Sequence, residues 1–232
     1  MKMSITSANL TKVYTEGSNK VTAVSSVNLQ LYEGEVIGLF GPSGSGKTTL
    51  LSMLGCILRP TEGSLQIYGT DITCLKESEL SQIRRRYLSF IFQGFNLFPA
   101  LTAFENVLLV IHLKGMKGAQ ADARAQGLLS DVGLSERMHF LPRDLSGGQK
   151  QRVSVARALA ADSPIILADE PTANLDFANG RRIMEILKKI ATEQKKCVVV
   201  ATHDGRLDTL FERILIMEDG KIVEDKRRHH EK

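Results

Sequence analysis

Residues Gly41-Pro42-Ser43-Gly44-Ser45-Gly46-Lys47-Thr48 follow a short apolar run at 35–40 and open a stretch of helical character at 47–54. A GxxxxGK[ST] pattern set between a strand and a helix is a device for holding phosphate. Its glycines let the backbone curl so that successive N–H groups point inward, and the helix N-terminus adds the positive end of its dipole. Lys47 can then reach β and γ phosphates, and the Thr48 hydroxyl can ligate Mg²⁺. With glycine at about 7% of residues, chance produces this pattern in such a chain on the order of once in a hundred. A second block, Ile165-Ile166-Leu167-Ala168-Asp169-Glu170, is an apolar strand ending in two acids. In a parallel sheet the carboxyl ends of strands line the ligand crevice, so Asp169 is expected to face a metal and Glu170 the terminal phosphate and its water. The third block, Leu145-Ser146-Gly147-Gly148-Gln149, precedes a helical run at 151–160. It reads either as a second anion-binding helix start or as a loop closed by an N-cap.

These blocks need elements to position them. Ile5, Leu10, Val13 and Tyr14, then Val21, Val24, Val27, Leu29 and Leu31, alternate in strand fashion on either side of the turn-rich segment 15–19. They predict a β-rich N-terminal layer. Thr102-Ala103-Phe104-Glu105 is a capping-box pattern ahead of Val107, Leu108 and Ile111, and 119–132 is rich in Ala, Gln and Leu. Residues 95–158 therefore read as a mostly helical lobe. Strand signal returns at 165–168. Ile183, Ile186, Leu187 and Ile190 keep helical spacing before the apolar run 197–201. Strands alternating with helices imply a parallel α/β sheet. The expected division places the β layer and core in 1–94 and 159–225, the helical lobe in 95–158, and a charged tail in 226–232.

Composition narrows the class. The chain has 232 residues, 43% hydrophobic and 24% charged, with a net charge of only +4, which argues against disorder and gives no basic stripe for nucleic acid. A bilayer span needs about 20 consecutive apolar residues, far more than any run here, and residues 1–10 lack the apolar core of a signal peptide. The expectation is a cytoplasmic protein. Cys56, Cys74 and Cys197 are scattered, without metal-ligand or disulfide spacing.

The three blocks, with Gln93 after a strand, Asn174-Leu175-Asp176 and His203, occur in the order and rough spacing of the ABC ATPases, and the resemblance covers nearly the whole chain. It implies an α/β P-loop NTPase fold with a RecA-like parallel-sheet core, an N-terminal antiparallel β layer and a helical signature subdomain. It also implies ATP and Mg²⁺ as ligands, and a homodimer that holds ATP between one cassette's phosphate loop and its partner's signature motif. Carried onto this sequence, the family's pattern makes Tyr14 the aromatic that stacks on adenine. Gly41, Ser43, Gly44, Ser45, Gly46, Lys47, Thr48 and Thr49 become the phosphate cradle, and Thr48, Gln93 and Asp169 the metal neighbours. Glu170 takes the place of the base or water-positioning carboxylate, and His203 that of the γ-phosphate switch. Ser146, Gly147, Gly148 and Gln149 become the signature contacts, and Asp176 the acid that crosses the interface. Every catalytic position carries the functional residue type, so a competent ATPase is expected.

Within the family, the stretch between Lys47 and Leu145 leaves room only for a helical lobe, unlike the long coiled coil of chromosome-maintenance and DNA-repair members. Leu54-Gly55-Cys56-Ile57-Leu58-Arg59-Pro60-Thr61-Glu62-Gly63, the run Phe90-Ile91-Phe92-Gln93-Gly94-Phe95-Asn96-Leu97-Phe98-Pro99-Ala100-Leu101-Thr102, and Met217-Glu218-Asp219-Gly220 resemble the MacB, LolD and DevA group of exporter cassettes. The group implies an integral membrane permease partner that holds this chain at the cytoplasmic face of the membrane, with a periplasmic fusion protein and an outer-membrane channel. Residues 95–100 and the helices to about Leu141 would dock that permease. Regulatory cassettes of the FtsE-like division or iron–sulfur assembly kind share these motifs and are the alternative.

Overall fold

A computed structural model describes residues 2–17 and 19–228. Ser18 of the expected turn and residues 229–232 of the expected tail lie outside the described residues. The chain opens with two long strands, β1 (Met3–Glu16) and β2 (Asn19–Tyr32), paired as an antiparallel hairpin. β3 (Val36–Phe40) follows, then α1 (Lys47–Leu54), β4 (Glu62–Ile67), β5 (Thr70–Asp71), α2 (Glu77–Tyr87) and β6 (Leu88–Ile91). The lobe carries α3 (Ala103–Leu113), α4 (Ala119–Asp131) and α5 (Gly147–Ala160). β7 (Ile165–Asp169), α6 (Phe177–Gln194), β8 (Cys197–Thr202), β9 (Arg213–Glu218) and β10 (Lys221–Arg227) complete it.

Two sheets result. The first, in the order β2-β1-β4-β5, is antiparallel, and the second runs β10-β9-β3-β8-β7-β6. In the second, all neighbours from β9 to β6 are parallel, and only β10 turns back. β7 and β8 are buried at every residue, which is why they read as unbroken apolar runs. Side chains alternate across this sheet. Val36, Ile166, Ala168, Val198 and Val200 belong to the core shared with α6 and the lobe. Ile37, Leu39, Leu167 and Val199 belong to the core shared with α1 and the N-terminal layer. Arg213 joins the sheets: it donates to Asp225 of β10 at 2.8 and 2.6 Å and to the Gln30 carbonyl of β2 at 2.7 Å.

β10 continues through Lys226 and Arg227, which pair with Ile214 and Arg213, so the tail begins two residues later than its charge suggests. α5 ends at Ala160, two residues beyond the expected lobe. Within the lobe, 95–102 forms no helix, and α3 starts where the capping box predicts: Glu105 N–H donates to Thr102 Oγ1 at 3.2 Å and Thr102 N–H to the Glu105 carboxylate at 2.8 Å.

Candidate active site

The phosphate loop follows a path open only to glycine at its two ends. Gly41 and Gly46 take φ of 156° and 102°. A Cβ on Gly41 would lie 2.1 Å from the Met217 carbonyl oxygen, and one on Gly46 2.2 Å from that of Ala23. Backbone of β9 and β2 thus presses on the loop from outside. α1 starts with no side-chain cap and no acid in its first turn, leaving its free N–H groups and dipole to an anion. Lys47 is buried, and its Nζ donates to the carbonyls of Gly41 and Pro42 at 2.8 and 2.9 Å. Ser45 is buried as well. Its carbonyl accepts from Gly220 N–H at 3.0 Å, while its hydroxyl has no partner among the described residues.

A cavity of about 450 Å³ opens over this loop, lined by Ser43, Gly44, Gly46, Lys47, Thr48 and Thr49 with Ala23, Gln93, Asp169, Glu170 and His203. Thr48 Oγ1 donates to Asp169 Oδ1 at 3.2 Å. Burial pushes the Asp169 carboxyl above the ordinary aspartate range; the Thr48 hydrogen bond opposes the shift and the neighbouring Glu170 adds to it. Glu170 takes a left-handed backbone, φ 48°, a conformation that costs a non-glycine residue and collects at functional sites. Its N–H donates to the Ala201 carbonyl at 2.9 Å, and its Oε1 lies 2.7 Å from His203 Nδ1. The Glu170 side chain is 11% exposed and that of His203 70%: a buried carboxylate meets an imidazole open to a ligand.

The donor set suits a small hard cation. Among the lining residues, the hydroxyl of Thr48, the carboxylate of Asp169 and the side-chain carbonyl of Gln93 are oxygen donors that could hold one. No cluster of three or more His, Cys, Asp or Glu occurs among the described residues. Mg²⁺ fits such a site, since it takes one or two protein oxygens and completes its shell with phosphate and water.

The other expected residues lie elsewhere. Tyr14 is 44% exposed near the end of β1, opposite Val21, with Lys12 Nζ 5.5 Å from its ring centroid; it does not line the cavity. Ser146 and Gln149 form a reciprocal cap, Gln149 N–H donating to Ser146 Oγ at 3.2 Å and Ser146 N–H to Gln149 Oε1 at 2.8 Å. The block is thus a capped helix start, with Gly147 exposed and Gly148 half-buried. A Cβ on Gly148 would lie 3.1 Å from the Asn174 carbonyl oxygen, and Gly147 faces the same residue. The signature block therefore packs beside 174–175. Asp176 caps α6, accepting from Asn179 N–H at 2.9 Å and Asn179 Nδ2 at 2.6 Å, and these bonds hold its carboxyl below the usual range. The chain thus gathers one set of residues at the phosphate loop and leaves Ser146, Gly147, Gly148, Gln149 and Asp176 outside that cavity. Sequence reasoning missed Ala23 and Met217, whose backbone shapes the loop without side-chain chemistry to mark it.

Residues 24–173 match the ABC transporter family. The ABC transporter ATP-binding protein MJ0796 of Methanocaldococcus jannaschii is 45% identical over 223 residues, 94% of this chain and 95% of that protein. The macrolide export ATP-binding/permease protein MacB of Salmonella paratyphi A is 41% identical over 93% of this chain, which spans 33% of MacB. A dimeric structure of MJ0796 in a post-hydrolysis state bound to ADP and Pi superposes with a TM-score of 0.94 at 43% identity, covering 97% of this chain and all of that one.

Proposed function

The chain belongs to the ABC transporter family and is its ATP-binding, ATP-hydrolysing cassette, and from that premise we propose that it powers a bacterial export or efflux system of the MacB, LolD and DevA kind. The observation that carries the hydrolytic part is the Glu170–His203 pair, 2.7 Å apart over the phosphate loop. In this reading Lys47 and the loop N–H groups bind the β and γ phosphates, and Tyr14 stacks on adenine. Thr48, Asp169 and Gln93 hold Mg²⁺, which supplies charge neutralisation on the phosphates when bound. Glu170 orients the attacking water and takes its proton, with its carboxylate fixed by the left-handed backbone and by His203. His203 reports the γ-phosphate to the 203–210 segment. Ser146, Gly147, Gly148, Gln149 and Asp176 serve the nucleotide of a second copy, which accounts for their place outside the cavity.

Export is supported by the likeness to MacB over almost the whole of this chain. Among the described residues no helix is long and apolar enough to cross a membrane; in this reading a permease supplies the passage and docks on 95–100 and the helices to about Leu141. A periplasmic fusion protein and an outer-membrane channel complete the assembly. Glu170→Gln is expected to slow hydrolysis by about 10²–10⁴-fold while keeping ATP bound, and so to trap an ATP-loaded dimer. Purifying that variant from membranes with ATP should bring down a permease with a periplasmic adaptor. Recovery of division or sulfur-assembly proteins instead would leave the ATPase and remove export.

A further inference from the structure

Among the described residues, Gln93 is the one lining the cavity from the junction between the core and the lobe, and that junction is under backbone strain. After β6, Phe95 N–H closes a turn onto the Phe92 carbonyl at 3.2 Å, so Gln93 sits inside the turn. The next two residues, Phe95 and Asn96, both take left-handed backbone, φ 61° and 53°. Consecutive non-glycine residues in that region need an external hold. It comes from α5: the half-buried Arg157 guanidinium donates to the Asn96 carbonyl at 2.6 Å and to the Phe95 carbonyl at 3.0 Å. Among the described residues no carboxylate lies within ion-pair distance of Arg157, so its charge is spent on those two carbonyls.

We propose that Arg157 is a positioning residue that sets Gln93 through the strained 95–96 backbone and makes α5 a lever between the signature block and the metal side of the phosphate cavity. Ser146 at the helix start and Arg157 near its end are joined by about 16 Å of continuous helix. Whatever seats Ser146, Gly147 and Gly148 against a nucleotide therefore also moves the group that holds Phe95 and Asn96. The proposal rests on the reading of Gln93 as a metal neighbour.

The test is steady-state ATP hydrolysis by the full chain, with Mg²⁺ titrated at saturating ATP. Arg157→Lys keeps the charge and loses the planar fork that bridges two carbonyls. It is expected to lower kcat about five- to tenfold and to raise the Mg²⁺ needed for half-maximal rate, with KM for ATP within about twofold. Asn96→Ala, which makes the left-handed backbone costlier without touching the guanidinium, should act in the same direction. Asn96→Gly placed in the Arg157→Lys background should recover at least about half of the lost rate, because glycine adopts that backbone unaided. A merely structural role of Arg157 gives no such rescue. Wild-type kcat in Arg157→Lys, or a loss that Asn96→Gly leaves untouched, overturns the proposal. Should Arg157→Lys fail to fold, an unchanged kcat in Asn96→Ala overturns it alone. Gln93→Ala separates the two levels: normal Mg²⁺ dependence there sinks the reading of Gln93, whereas a defect there beside a normal Arg157→Lys sinks only the lever.

Discussion

Asp169 illustrates how a single residue carries the cost of the site. Its carboxyl is buried, and desolvation raises its pKa in the folded chain. A carboxyl that binds its proton more tightly when folded stabilises the fold only while protonated, so that contribution is lost as pH rises from the ordinary value of 3.8 through the raised one. At neutral pH the ionised group therefore destabilises the nucleotide-free protein. Asp169→Asn should melt above the wild type at pH 7, and the gap should close as pH falls below 3.8. The same variant should lose the extra stability that Mg²⁺ with ATP gives the wild type. Thermal melts across that pH range decide it, and a variant less stable at pH 7 would refute the cost assigned to burial. Residues of this kind are legible in sequence because the chemistry restricts their types: a lysine and a hydroxyl at the loop end, acids at the end of an apolar strand. The Glu170–His203 contact is not, because it depends on the pairing of β7 with β8, where Asp169 lies opposite Ala201 and the Glu170 N–H closes onto the Ala201 carbonyl.

At the scale of elements, α1, β3, β7 and β8 follow their apolar patterns closely, since each buries a continuous face. The segment 95–102 does not, because its conformation is fixed by side chains that bond to its backbone and leave no periodicity. Asn106 of α3 is fully buried, accepts from Phe98 N–H at 2.9 Å, and donates to the carbonyls of Leu101 and Thr102, each at 2.9 Å. Asn106→Ala strands these groups, and about 2–3 kcal/mol of stability should go with them. The denaturant midpoint should fall at unchanged slope. The signature helix permits a sharper separation of cap from chemistry. Ser146→Ala should cost about 1 kcal/mol through the lost cap, and Ser146→Gly only a few tenths. If the hydroxyl also serves the nucleotide, turnover should fall alike in both variants, out of proportion to stability. Turnover that tracks stability would reduce Ser146 to a cap.

At the scale of the whole molecule, the proposed reading pairs two copies related by two-fold symmetry: the phosphate loop, Glu170 and His203, which share one cavity, would work with the partner copy's Ser146, Gly147, Gly148 and Asp176, none of which lines that cavity in its own chain. Head-to-tail pairing makes a prediction that depends on which chain carries which defect. Lys47→Ala and Ser146→Arg should each be inactive alone, because every site in either homodimer has one broken half. Mixed together, the two variants form dimers in which both defects fall in one site and the other is intact. Where chains pair at random and the sites act independently, turnover should return to about a quarter of wild type. Placing both substitutions in one chain and mixing it with wild type should poison the mixed dimers, since each of their sites then contains one defect. ATPase assays on the two mixtures at equal total protein test this directly: head-to-tail pairing gives about a quarter of the wild-type rate in both, whereas no activity in the first mixture and about half in the second would mean that the signature block serves its own chain's nucleotide, and the head-to-tail arrangement would fall.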